Sequence, residues 1–265
     1  MLDQLTARVT FTVIGDSAAF GTGDTTSDKP RGWGWYLSQQ FDDDCVYNNY
    51  ARPGAQSQEV LQDQLPRALQ TYPDICAVIV GGNDLLRNGF SPDKLQQNLR
   101  ETCQQLLAIG AEVVMIELHD PNQLLRLPRL LKRVLRRRVE SVNNVYYRIA
   151  EELDVLLVRT RKIPDVHALK NWHIDRMHPG PYGHQLLARE MADYLRRRGW
   201  NLRLPIVEDR ERENTKKQLK WLLINGAPWF FKRSFDLLPA ALILMAVEFV
   251  RVIIEAVVRK PASSL

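Results

Sequence analysis

The chain has 265 residues, 36 Lys and Arg against 31 Asp and Glu, a formal net charge of +5, and 45% hydrophobic residues. That mix excludes a disordered or collagen-like polypeptide and leaves enough chain for a real core without disulfide or metal staples. One α/β unit of about 200 residues plus an appendage fits the length. The three cysteines, Cys45, Cys76 and Cys103, are odd in number and widely spaced. They form no metal-type pair and point to a reduced, intracellular setting. The first residues carry Asp3 and polar side chains where a signal peptide needs a basic start and an apolar run.

In chain order, residues 8–14 ("RVTFTVI") predict a buried strand, broken at once by "GDSAAFGTG". Residues 32–41 predict a short helix, and 45–51 ("CVYNNYA") a second strand. Val60, Leu61, Leu65 and Leu69 recur at helical spacing over 57–69, with a kink expected at Pro66. The run "ICAVIV" (75–80) predicts a central parallel strand, apolar on both faces. Ser91 and Pro92 open a helix over 92–109, serine as cap and proline at the first helical position. Residues 111–118 predict the fourth strand, 139–153 a helix, 155–160 the fifth strand and 180–198 the last helix of the unit. Strand and helix alternate, so the expected fold is a three-layer α/β/α sandwich around a mostly parallel five-stranded sheet. In such sheets ligands bind at the carboxyl ends of the strands.

Those ends carry the chemistry. Gly15-Asp16-Ser17 follows the first strand, "ARPGAQS" with Gly54 the second, and "GGND" with Asn83 the third; "DRMHPG", with Asp175 and His178, comes late. A serine hydroxyl needs a base to become a nucleophile. His178 is a candidate base, and Asp175, three residues earlier, can accept its other ring N–H. Small residues around Ser17 let a backbone turn sharply and a ligand approach. Four blocks in this order resemble the SGNH (GDSL-type) serine hydrolase family over roughly residues 7–200. The resemblance implies catalysis by Ser17, Asp175 and His178, with an oxyanion hole from the backbone N–H groups of Ser17 and Gly54 and the Asn83 amide. Ala18 stands where the family usually has leucine.

The remaining polar residues have plainer readings. Asp16 is expected to hold the turn and Asp84 to brace the loop after Asn83. His119, His167 and His173 are expected to have no catalytic role, and His184 to lie on the surface. The spacing of His167, His173, Asp175 and His178 matches no compact ligand motif, so no metal and no cofactor are expected. The Gly-Thr-Gly stretch lacks the lysine of a phosphate loop.

Residues 1–204 are expected to form the hydrolase domain and 205–265 a helical, amphipathic extension. The run 237–258 is nearly long enough to span a bilayer, but Glu248, Arg251 and Glu255 interrupt it. Each would cost about 2.5–3.5 kcal/mol at mid-bilayer. A helix lying on a membrane interface or folding back over the domain is the cheaper reading. Residues 221–238 mix tryptophan and phenylalanine with Lys232 and Arg233, and 126–138 hold seven basic residues and no acidic one. That basic stretch reads as a mobile flap or a solvated helix able to meet anionic lipid; nucleic acid is not an expected partner, because no nucleic-acid module is present.

The expected function is a serine esterase or lipase-like hydrolase acting on small-molecule or lipid esters, cytoplasmic, with peripheral membrane contact. Acyl transfer or sugar-ester deacetylation on the same site, and a membrane-associated binding protein with a vestigial site, are the rivals.

Overall fold

Five apolar runs pair in parallel, in the order β2-β1-β3-β4-β5, in a computed structural model that describes residues 8–24, 31–42, 44–207, 242–243 and 245–251. The strands are β1 (Val9–Gly15), β2 (Cys45–Asn49), β3 (Ile75–Ile79), β4 (Glu112–Ile116) and β5 (Leu156–Val158). β3 is buried along its whole length because helices cover both faces, whereas every residue of the edge strand β2 is only half-buried. One face packs on α4 (Leu65–Leu69), α5 (Pro92–Ala108) and α6 (Arg129–Leu153), with the short α3 (Ser57–Glu59) beside α5. The other packs on α1 (Ser17–Phe20), α2 (Gly32–Ser38) and α7 (Pro181–Arg197). The expected three-layer sandwich is the fold found.

Strand order reverses between β1 and β3, which opens a crevice beyond their carboxyl ends. The loops carrying Ser17 and Asn83 leave from those two ends.

Two elements refine the expectation. The helix over 57–69 widens into a π-turn at Val60–Gln64, just ahead of Pro66. Pro66 has no N–H to continue the ladder and its ring crowds the preceding turn, and a wider turn just ahead relieves both. Of the two readings of the basic stretch 126–138, flap or helix, the helix is the one found: from Arg129 it forms the first turns of α6, continuous to Leu153. Val134 and Val139 are buried there, so packing recruits the segment into the helix.

The aromatic and basic stretch 221–238 and most of the apolar run 237–258 lie outside the described residues. Within that run, 242–243 and 245–251 are helical. Among the described residues no helix is long and apolar enough to cross a membrane.

Candidate active site

β1 ends under unusual constraint. Gly15 adopts φ +144°, and a Cβ there would meet the Ile79 carbonyl oxygen at 1.9 Å, so only glycine lets β1 and β3 run this close at the turn. The buried Gln64 side chain clamps the same residue, accepting from Gly15 N–H (2.7 Å) and donating to its carbonyl (3.0 Å). The π-turn is what carries Gln64 to that position. Asp16 then caps α1, accepting from Ala18 N–H at 3.0 Å. Burial pushes the Asp16 carboxyl up to about 6, against the opposing pull of that hydrogen bond. Ser17 is therefore the first residue of a short helix on a fixed turn.

Ser17 Oγ lies 2.7 Å from His178 Nε2, and His178 Nδ1 lies 2.8 Å from Asp175 Oδ2. With Nδ1–H donating to the carboxylate, Nε2 is left to accept the serine proton. Asp175 Oδ1 meanwhile accepts from Met177 N–H (2.9 Å) and His178 N–H (3.0 Å), which fixes the carboxylate in its own turn. Burial disfavours its charge, but hydrogen bonds from His173 and His178 prevail and hold the carboxyl well below the usual carboxylate range. Gly23, at φ +100°, lies where a Cβ would come within 2.2 Å of the Pro179 carbonyl oxygen. The second glycine of Gly-Thr-Gly thus lets the Ser17 loop close onto the His178 loop.

Sequence reasoning missed one member of this cluster. His173 Nδ1 lies 3.2 Å from Asp175 Oδ2, so the carboxylate is shared between two imidazoles. No spacing signal marks His173; only the turn 173–178, closed by His173 N–H to the His178 carbonyl, places it there.

Asn83 follows β3 and lines the same cavity as Ser17 and His178. One of its amide protons goes to the Ala55 carbonyl at 3.0 Å, which ties its loop to the one carrying Gly54 and leaves a second donor on the amide. Gly54 sits at φ +88°, and Arg52 N–H bonds the Gly15 carbonyl at 3.1 Å, so the Gly54 loop is stitched to the end of β1. Asp84 braces this arrangement: its carboxylate accepts from Ser57 N–H (3.1 Å) and Ser57 Oγ–H (2.6 Å).

Behind the serine opens a cavity of about 220 Å³. Leu85, Leu118, Leu125, Leu135, Val139 and Ile163 are among its walls, and Asp16, Ser17, Asn83 and His178 also line it. Such a lining takes hydrocarbon and places few polar groups for orientation.

The other histidines separate. His184 was expected on the surface and is fully buried. Its Nδ1 accepts from Trp33 N–H at 3.2 Å and its Nε2 donates to the Thr22 carbonyl at 3.0 Å, joining α7 to α2 and to the Ser17 loop. Burial lowers its pKa to about 4. The sequence showed a histidine on the first turn of a surface helix; only packing shows that this turn faces inward. His119 packs at a tilt against Trp172 with ring centroids 4.0 Å apart and lines the cavity, its pKa lowered to about 3 by burial. Among the described residues no group of three or more His, Cys, Asp or Glu could hold a metal.

The chain is similar to several known proteins. Thioesterase 1/protease 1/lysophospholipase L1 of Escherichia coli (strain K12) is 29% identical over 191 residues, covering 71% of this chain and 84% of that protein. Esterase TesA of Pseudomonas aeruginosa is 34% identical over 125 residues, covering 46% of this chain and 60% of that protein. A crystal structure of TesA superposes with a TM-score of 0.57 at 26% identity, over 71% of this chain and 98% of that one. Axe2, an acetylxylan esterase from Geobacillus stearothermophilus, shares the fold at a TM-score of 0.57 and 18% identity, over 71% of this chain and 94% of that one. The GDSL-like lipase/acylhydrolase family profile matches residues 13–186, which include Ser17, Gly54, Asn83, Asp175 and His178. With that match over more than half its length, the chain belongs to the GDSL-like lipase/acylhydrolase family, an esterase and thioesterase type of hydrolase.

Proposed function

We propose that the chain hydrolyses carboxylic esters or thioesters of apolar acyl chains through an acyl-enzyme on Ser17. The observation that carries this reading is the apolar cavity that Ser17 and His178 line. As the Ser17 oxygen attacks the carbonyl carbon, His178 Nε2 takes the hydroxyl proton and Asp175 steadies the imidazolium. The carbonyl oxygen becomes an oxyanion, received by the backbone N–H groups of Ser17 and Gly54 and by the free donor of the Asn83 amide. His178 returns the proton to the departing alcohol or thiol. Water, deprotonated by the same ring, then releases the acid and restores the Ser17 hydroxyl.

The apolar lining favours an acyl chain over a sugar in the cavity. A panel of chromogenic esters from acetyl to palmitoyl, with wild type and Ser17→Ala, tests the reading, and an added alcohol acceptor reports transfer. Hydrolysis that rises with chain length and vanishes in Ser17→Ala is the expected result; turnover retained in Ser17→Ala overturns it.

The exposed Leu242, Ile243, Val247, Phe249 and Val250 support a lipid surface as the place where the ester is met. Exposed Arg126, Arg129 and Arg136 would add attraction to anionic headgroups, at about 1 kcal/mol for each basic residue near the surface. Co-sedimentation with anionic vesicles at low and high salt tests this: binding that weakens but persists in salt is expected, and no binding under either condition refutes it.

A further inference from the structure

Glu248 has its side chain 1% exposed although its helical neighbours Val247, Phe249 and Val250 are exposed. Its carboxylate sits between two arginines of α6: Oε1 lies 3.3 Å from Arg133 Nε, and Oε2 accepts from Arg137 Nη2. In the sequence Glu248 interrupts an apolar run. In the fold that charge faces the protein and much apolar surface faces out.

Arg133 and Arg137 are four residues apart and share one face of α6. Leu135 and Val139, also four apart, lie roughly 200° round the helix from them and line the cavity behind Ser17. The first turns of α6 are therefore one layer thick between the C-terminal helical segment and the acyl cavity. The next residue, Arg138, donates to the Leu85 and Arg87 carbonyls, the latter at 2.8 Å, and so grips the loop that follows Asn83. The second half of α6 is fastened to the sheet separately. Asn143 exchanges two hydrogen bonds of 2.9 Å with the Leu118 backbone, and Tyr146 bonds the Val80 backbone.

We propose that Glu248 is a positioning residue for acyl-chain selection: through Arg133 and Arg137 it holds the first turns of α6 at the depth where Leu135 and Val139 wall the cavity. The inference rests on the acyl-cavity reading above. Removing the carboxylate's charge loosens that wall. Distal carbons of a long acyl chain sense the change, while the carbonyl carbon, held by groups at the strand ends, does not. A merely structural role would lower turnover of all esters together.

The test compares kcat/KM of the full chain on acetyl and decanoyl nitrophenyl esters in wild type, Glu248→Gln, Arg133→Gln/Arg137→Gln, and the triple variant. The decanoyl-to-acetyl ratio is expected to change by about tenfold in Glu248→Gln, the scale on which apolar pockets register small changes, with acetyl-ester kcat near wild type. The arginine pair variant should give the same altered ratio, and the triple variant should add nothing further, because both remove one interaction. A ratio within about twofold of wild type overturns the proposal, whether or not overall activity falls. So does a triple variant whose effect is the sum of the two. A wild type that hydrolyses neither ester through Ser17 overturns the acyl-cavity reading and this inference together; a Ser17-dependent wild type with an unchanged ratio in Glu248→Gln overturns this inference alone.

Discussion

Replacing Asp175 by asparagine separates the orienting carboxylate from its fold. Oδ1 of Asp175 accepts two backbone N–H groups, from Met177 and His178, while Oδ2 faces the Nδ1 atoms of His178 and His173. An asparagine keeps the turn by leaving its carbonyl oxygen on the two backbone donors. Its NH₂ group then points at His178 Nδ1. That nitrogen must become an acceptor, so the ring proton moves to Nε2 and is directed at Ser17 Oγ. A base that already carries its proton cannot take another, and the imidazolium also loses its counter-charge. The geometry survives and the tautomer is wrong, a change worth about 10⁴ in kcat in triads of this type, or about 5.5 kcal/mol of barrier. The assay is kcat and KM on a chromogenic ester, with thermal unfolding as control. A fall of about four orders in kcat, with melting temperature and KM little changed, is expected. Activity within about tenfold of wild type would refute the assignment of Asp175 as the group that sets the His178 tautomer.

Ser17→Ala and His178→Ala should each abolish ester hydrolysis, and the double variant should be no worse than either, since the residues act as one unit. Additive losses would argue against a shared proton transfer. Asn83→Ala should lower kcat by about two to three orders with a smaller effect on KM; a loss confined to KM would make Asn83 a binding residue. His184 gives a stability prediction: burial lowers its pKa to about 4 in the fold, against the ordinary histidine value of 6.5. Between those values the unfolded chain binds the proton and the native one does not. The stabilisation is therefore complete above pH 6.5 and is lost as pH falls towards 4, by about 3 kcal/mol. Burial acts oppositely on Asp16, raised to about 6, whose contribution is present at low pH and is lost as pH rises through that value. In urea unfolding, the stability gap between wild type and His184→Leu should shrink from neutral pH to pH 4; a constant gap would refute the linkage.

Much of this protein was legible in one dimension. A parallel strand buried on both faces must be apolar throughout, so 75–80 announced itself, and the alternation of such runs with helical periods implied the layered sandwich. Strand ends are where a parallel sheet presents its loops, so Ser17, Gly54 and Asn83 could be read as neighbours from their places after three strands. Local spacing placed Asp175 beside His178. Contacts between distant segments were not legible, because side-chain burial depends on what packs above a helix and not on its own sequence. His184 looked like a surface residue until α2 and the Ser17 loop closed over it. His173 joined Asp175 only through the shape of one turn. The basic run 126–138 read as either a flap or a solvated helix because seven like charges suggest solvation; Leu135 and Val139, packed against the core, made it helix, and Glu248, more than a hundred residues away, gave two of its arginines a partner. Sequence period and loop position determined the sheet and the chemistry at its ends. Tertiary packing alone decided which charges are buried, which imidazoles are shared, and which apolar side chains meet behind Ser17 to form the cavity.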